Sequence, residues 1–324
     1  MKRMMFLILL VVAVTITGLF GAETAAPAST QTQYPNLVLN GFGRVRYTWD
    51  FTDGKVDGFS IANARFGIRG DISKYFAYTF NIEGTSGDPE NKKMVYDVYI
   101  DTTIIKNFKI RLGQFKYAFG LEQTTSEPDL DFINRPEVVN NLVKPNRDIG
   151  IQVSRDINFD SIRTNLTLGL VNGSGSNTED ENNRKTLVGR FLLTPVKGLT
   201  VGASYYDGAT GVSDKKTRAG AELKLEICKL MVKAEFIIGK DKTIKKQGYY
   251  ATLGYTILPS TLLLVRYDNW DVDKNIVDRD ISRWTIGLNY FFGKNVLWRT
   301  NYERRIEKPA VKNDVFSTQF QVKF

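Results

Sequence analysis

FKIRLGQFKYAFGLEQTTSEPDLDFINRPEVVNNLVKPNRDIGIQV, residues 108–153, begins and ends with the alternating pattern of a β-strand. Between those ends, from about Tyr117 to Asp148, runs a connection that holds Pro128, Pro136 and Pro145. Hairpin loops close in roughly two to five residues, and a much longer irregular segment inside a strand pattern usually carries function. What that function is depends on the strands around it.

Almost every segment from Val38 onward alternates with period two. In VLNGFGRVRYTW, residues 38–49, Leu39, Val45, Tyr47 and Trp49 share one face, and Asn40, Arg44, Arg46 and Thr48 share the other. Residues 59–71 set Ala64, Phe66 and Ile68 against Arg65, Gly67 and Arg69. Residues 75–84 set Phe76, Tyr78, Phe80 and Ile82 against Thr79, Asn81 and Glu83. This period marks a strand with one apolar and one polar face. Further strands are expected near 94–103, 108–116, 149–155, 162–171, 186–194, 199–206, 217–227, 230–239, 247–257, 261–269, 281–291, 296–305 and 314–324, sixteen in all. Most approach the roughly 9–11 residues that cross a bilayer when tilted.

Connections alternate in length as well. Residues 71–74, 104–107, 194–198, 228–229 and 258–260 are short, whereas 84–93, 172–185, 207–216, 240–246 and 271–280 are longer and polar. Short turns at one end and long loops at the other distinguish the periplasmic and extracellular ends of an outer-membrane barrel, which also has an even strand count. The fold expected is all-β: a 16-stranded antiparallel transmembrane barrel over residues 37–324, with the 117–148 connection folded inward as a constriction. Tyr47, Trp49, Tyr205, Tyr249, Tyr255, Tyr267, Trp284, Tyr290, Trp298 and Tyr302 fall on the apolar faces, several near strand ends, as aromatic girdles require. The last segment places Phe316, Phe320, Val322 and the terminal Phe324 on one face. A terminal Phe on such a strand resembles the signal read by outer-membrane assembly machinery.

Composition agrees with this placement. The 324 residues are 24% charged and 42% hydrophobic, and past the N-terminus no apolar run approaches the roughly 20 residues of a spanning helix. Strands of a barrel escape that test because lipid-facing and lumen-facing residues alternate. Residues 1–22, MKRMMFLILLVVAVTITGLFGA, have the basic start, apolar core and small-residue end of a secretory signal, with cleavage expected after Ala22. Residues 23–36 read as a flexible lead-in. The formal charge is +9, and Lys and Arg recur singly along strands instead of gathering in a tail or helix face. Spread charge of this kind argues against nucleic acid as a partner and suits an anion-attracting pore. There is no His and a single Cys, Cys228, so Ser-His-Asp hydrolysis, His-metal sites and Cys-His nucleophiles each lack a member. No catalytic residue, metal or cofactor is expected.

Several runs resemble the phosphate-selective porin O and P family. They are Ile61-Ala-Asn-Ala-Arg-Phe-Gly-Ile-Arg-Gly70, Asp97-Val-Tyr-Ile100, Arg111-Leu-Gly-Gln-Phe-Lys-Tyr-Ala-Phe-Gly-Leu-Glu122 with Thr125-Ser126, Asn134-Arg135, Arg147-Asp-Ile-Gly150, Val171-Asn-Gly173 and Gly189-Arg190. The resemblance covers nearly the whole mature chain, and Ala118 departs from it where the family often has Pro. It implies a 16-stranded outer-membrane porin, usually a homotrimer, with the third extracellular loop folded inward. It further implies that Arg and Lys side chains line the bore and lead anions to the constriction.

Strand parity ranks the candidates. With the apolar face toward lipid, Arg44, Arg46, Arg65, Arg69, Lys109, Arg111, Arg163, Arg190, Arg218, Arg266, Arg283 and Arg299 point into the lumen, as do Lys224 and Lys233. Lys116 and Arg147 flank the long connection, Arg135 lies within it, and Arg218 is placed farther from it. An Arg fork suits phosphate or carboxylate, and rows of such groups give several weak sites in series. A second reading stays open, because Glu83, Asp97, Asp101, Glu222, Glu226, Glu235, Asp268 and Glu303 share the inward face and can pair these charges within the wall. The connection adds Glu122, Glu127, Asp129, Asp131 and Glu137, which opposed to a basic wall would set up a transverse field. The function expected is a passive channel for small hydrophilic solutes with anion preference. Its alternatives are a non-selective or cation- and zwitterion-tolerant porin and a closed structural or adhesive barrel.

Overall fold

A bilayer offers no water to backbone amides, so a sheet that crosses it must bond to itself all the way round. The computed structural model, which describes residues 33–85, 94–143, 147–211 and 214–324, meets that condition. The expected signal segment and residues 23–32 of the lead-in lie outside the described residues. The first five strands are β1 (Val38–Asp50), β2 (Gly58–Ser73), β3 (Phe76–Glu83), β4 (Val95–Thr102) and β5 (Lys109–Phe115). After the long connection come β6 (Asp148–Phe159), β7 (Ile162–Val171), β8 (Thr186–Val196), β9 (Leu199–Thr210), β10 (Asp214–Ile227) and β11 (Leu230–Asp241). The ring continues through β12 (Ile244–Leu258), β13 (Thr261–Asp271), β14 (Asp280–Phe291), β15 (Val296–Ile306) and β16 (Val315–Lys323). Each pairs antiparallel with its sequence neighbours, and β1 pairs with β16 from Phe42↔Lys323 to Asp50↔Val315, which closes the barrel. Gly41 and Phe324 finish the seam by exchanging both backbone hydrogen bonds, at 3.1 and 3.0 Å.

The burial pattern is inverted relative to a soluble sheet. In β7, Leu166, Leu168 and Leu170 are exposed while Thr167 is buried; in β15, Trp298 and Tyr302 are exposed while Arg299, Asn301 and Glu303 are buried. Apolar side chains outside and polar ones inside suit a sheet whose outer solvent is lipid. Aromatic rings gather in two groups along the strands. Tyr47, Trp49, Phe59 and Phe316 contact one another near the long-loop rim, as do Tyr249, Tyr267 and Trp284. Tyr290, Phe292 and Phe320 do so near the opposite rim.

Two expected loops are shorter than the sequence pattern suggested. Strands β9 to β12 extend into 207–216 and 240–246, leaving only 211–213 and 242–243 as connections. Unbroken register carries the ladders there: Lys216 pairs with Asp241, and Asp241 with Ile244, so polar composition is overridden by edge-to-edge hydrogen bonding.

Candidate functional site

The 116–147 connection folds into a short helix α1 (Leu121–Thr124), a 3-10 turn (Glu127–Asp129) and a helix α2 (Glu137–Leu142). Its apolar residues Phe119, Val138, Val139, Leu142 and Val143 are buried with Val171, Val188, Tyr206, Ile237, Tyr250 and Trp270. Those six wall residues sit on the otherwise polar face of β7, β8, β9, β11, β12 and β13. Without the connection they would meet water, so hydrophobic burial holds it there.

Polar bonds fix its position residue by residue. Glu235 of β11 accepts the backbone N–H groups of Leu121 and Glu122 at 2.7 and 2.9 Å, and the Tyr250 hydroxyl at 2.7 Å. Gly120, at φ 67°, makes this approach possible, since a Cβ there would lie 2.3 Å from Glu235 Oε1. The Pro128 carbonyl accepts from Arg299 and Gln321, each at 2.9 Å, and Asp129 pairs with Lys323 at 2.9 Å. Asn301 accepts the Ile133 N–H at 2.7 Å, Arg266 donates to the Asn134 carbonyl at 3.0 Å, and Arg283 donates to the Arg135 carbonyl at 2.8 Å. The connection is thus bonded mainly to β9–β16.

On the β1–β8 side lies a cavity of about 710 Å³. Arg65, Arg69, Arg111, Lys116, Arg147, Arg190 and Lys323 line it, with Asp97 and Asp129 as its acids. Arginines here are stacked on rings. The Arg65 and Arg147 Cζ atoms each lie 3.6 Å from the Tyr96 ring centroid, and Arg111 Cζ lies 3.8 Å from that of Tyr99. A planar guanidinium held against a ring keeps its donor edge free to be aimed. Glu127 enters this group from the connection, 2.5 Å from Arg65 and 3.9 Å from Arg44, and accepts the Tyr96 hydroxyl at 2.9 Å. Burial pushes its carboxyl up, but Arg65, Arg147, Arg44 and Lys116 outweigh burial and hold it at about 2. Lys116, one residue beyond β5, donates to the Gln123 and Thr125 carbonyls at 3.2 and 2.8 Å. Burial, with Arg135 and Arg147 nearby, pushes its ammonium well below the ordinary lysine range.

The remaining candidates sort by partner. Arg111 and Lys109 share Asp101, at 2.7 and 2.9 Å, Arg147 pairs with Asp97 at 2.7 Å, and Arg190 with Glu222 at 2.5 Å. Arg266 and Arg283 share Asp268, and Arg283 also reaches Glu303 and Glu137. Lys233 holds Asp131 at 2.7 Å. Arg46 donates to Gln319, and Arg135 to the Glu122 and Thr125 carbonyls. Glu122 is buried, and burial pushes its carboxyl up despite Arg135 nearby. Arg69 makes no ion pair among the described residues, and Arg163 is exposed beside the 160–161 turn, away from the connection. Arg218 departs from expectation: its Nε donates to the Leu142 carbonyl at 2.7 Å, so it supports the end of α2. Strand parity could not reveal this contact, which depends on the path of the connection.

Tyr96 was missed for a definable reason. Asn81 pairs with Asp97 and Ile82 with Val95, so Tyr96 is the extra residue of a β-bulge. A bulge breaks period two and turns neighbouring side chains to one face. Strict alternation had placed Tyr96 and Asp97 on opposite faces.

Residues 40–223 match the family described as Phosphate-selective porin O and P. The chain belongs to the phosphate-selective porin O and P family. The match is shorter than the nearly whole-chain resemblance read from the sequence. No curated protein matches this porin by sequence. Among solved structures it is similar to the anion-selective porin of Comamonas acidovorans, at 13% identity and TM-score 0.67, covering 90% of this chain and 100% of that one. OmpF of Salmonella typhi, in complex with daunomycin, gives 13% identity and TM-score 0.67, covering 89% and 97%. In-vitro folded OmpT of Vibrio cholerae, in a trimer form, gives 12% and 0.63, covering 90% and 100%. At such identities the likeness speaks for the fold. Family and fold together make the chain a porin channel of a bacterial outer membrane.

Proposed function

We propose that the porin conducts small hydrophilic solutes passively, with a preference for anions such as phosphate, through an opening between its β1–β8 wall and the 116–147 connection, which narrows the bore. The observation that carries this reading is the one-sided charge of the cavity. Around it, among the described residues, Arg44, Arg65, Arg69, Lys109, Arg111, Lys116, Arg147, Arg190 and Lys323 stand against Glu83, Asp97, Asp101, Glu127, Asp129 and Glu222. Opposite, Lys233, Arg266 and Arg283 are matched by Asp131, Asp268, Glu137 and Glu303. Positive charge is in excess where space remains, and a low-dielectric wall focuses that field. Paired arginines still offer unused donors, so an anion meets several weak sites in series. The solute gradient is the driving force.

The working unit is proposed to be a homotrimer, exported by the 1–22 signal and recognised for assembly through Phe324. Planar-bilayer recording of the purified porin under a salt gradient tests the selectivity. A reversal potential on the anion side supports it, while a potential near zero or on the cation side replaces it with a general or cation-tolerant porin.

A further inference from the structure

At the long-loop rim the outer face of β10–β12 carries an unusual arrangement of charge. Phe236 and Ile238 are outward and exposed in β11, and the next outward residue is Lys240. Tyr249 is outward in β12, with Gln247 and then Lys245 beyond it toward the rim. Lys240 and Lys245 are direct cross-strand partners. Lys215 lies next to them on β10, where Thr217 pairs with Lys240 and Lys215 accepts the Lys242 N–H through its carbonyl at 2.9 Å. Like charges directly opposite one another destabilise a sheet pair. Among the described residues no acidic side chain pairs with either lysine. The nearby acids are engaged elsewhere: Asp214 with Lys242 at 2.7 Å, Asp241 with Arg218 and Lys246 at 2.6 and 2.9 Å, and Asp207 with Arg184 at 3.1 Å. Lys215, Lys240 and Lys245 are exposed and form no ion pair among the described residues.

Their height on the barrel identifies the missing counter-charge. The row Tyr249, Tyr267 and Trp284, with ring centroids 6.0 and 4.9 Å apart, marks the interface between hydrocarbon and water. The three lysines stand just on the water side of that row and point away from the bore, at the level of lipid headgroups. The long-loop rim is the extracellular one, and the outer leaflet of such a membrane is built of phosphorylated glycolipid. We propose that Lys215, Lys240 and Lys245 form a docking surface for the phosphate groups of that glycolipid. Phosphates bridging the Lys240–Lys245 pair turn a repulsive cross-strand contact into a paired one, and the aromatic row beneath takes the acyl chains.

The test uses purified full-length porin in detergent and measures lipid retention by native mass spectrometry. The probe is bis-phosphorylated lipid A, with fully dephosphorylated lipid A and inorganic phosphate as separate arms. Replacing all three lysines by Gln should weaken retention of the phosphorylated lipid on the order of a hundredfold. Replacing them by Arg should preserve it. Single-channel conductance and heat-modifiable mobility, which reports a folded barrel, should stay unchanged in both variants. Equal retention by wild type and the Gln variant overturns the proposal, as does equal retention of phosphorylated and dephosphorylated lipid by wild type. A Gln variant that differs from wild type in binding inorganic phosphate alone assigns the site to a free anion and overturns the headgroup reading.

Discussion

Arg65 Nη2 and Glu127 Oε2 meet at 2.5 Å, and this ion pair ties β2 to the β5–β6 connection at the edge of the cavity. Glu127 is an acid of the connection that pairs with the stacked Arg65, so it subtracts from the positive field there. Glu127→Gln is expected to shift the reversal potential in a salt gradient further toward the anion side. The same change leaves Arg44 and Arg65 less compensated and should destabilise the barrel by about 1–3 kcal/mol. A potential moving toward the cation side would show that the carboxylate lies off the conduction path.

Lys116 should titrate below the ordinary lysine range, because burial and two neighbouring guanidinium groups disfavour its charge. Its positive charge is present at low pH and lost as pH rises through that lowered value, so anion selectivity should decline at alkaline pH before ordinary lysines titrate. In Lys116→Met that phase should be missing from a plot of reversal potential against pH. An unchanged profile in the variant would assign the decline to another group.

Glu235 anchors the start of the connection by accepting two backbone N–H groups. Glu235→Ala removes both bonds, each worth about 0.5–1.5 kcal/mol. Single-channel records should then show added open-state noise and a larger mean conductance. Glu235→Gln keeps an acceptor oxygen and should fall between the two. Records identical to wild type for the Ala variant would mean that the apolar contacts alone hold the connection.

Arg111→Ala and Arg218→Ala should separate charge from support. Arg111 lines the cavity, and its loss should lower anion conductance with little change in the noise of the open state. Arg218 is buried and donates to the Leu142 carbonyl, while its partner Asp241 is partly exposed and keeps Lys246, so removing Arg218 should destabilise the barrel by about 1–3 kcal/mol in urea unfolding and disturb the connection. Equal conductance effects with no stability difference would contradict these roles.

The strand order was legible in the sequence because a lipid-facing wall forces period two on every strand, and β1 to β16 each carry it. The same rule sets Arg44, Arg65, Arg266, Arg283 and Arg299 opposite the apolar face, and each of these is buried. What alternation could not supply were departures from it. Tyr96 turns inward at a bulge, and the apolar wall residues Ile237, Tyr250 and Trp270 face inward to receive the connection. The partners of each charge were also hidden: Arg218 and Arg299 both read as bore residues, yet each donates to a carbonyl of the connection. Such contacts join residues far apart in the chain, and no local pattern encodes them.

Pro128 and Asp129 are held by Arg299, Gln321 and Lys323, residues of β15 and β16. The tip of the connection and the closure of the sheet therefore share the same strands. Strands β2, β11, β13 and β14 hold the connection through Arg65, Lys233, Arg266 and Arg283, while β15 and β16 hold Pro128 and Asp129, and β16 also closes the barrel against β1. A sheet without β16 would keep an open edge and lose two of the three anchors of Pro128 and Asp129 together, so closing the barrel and fixing the tip of the connection depend on the same strand.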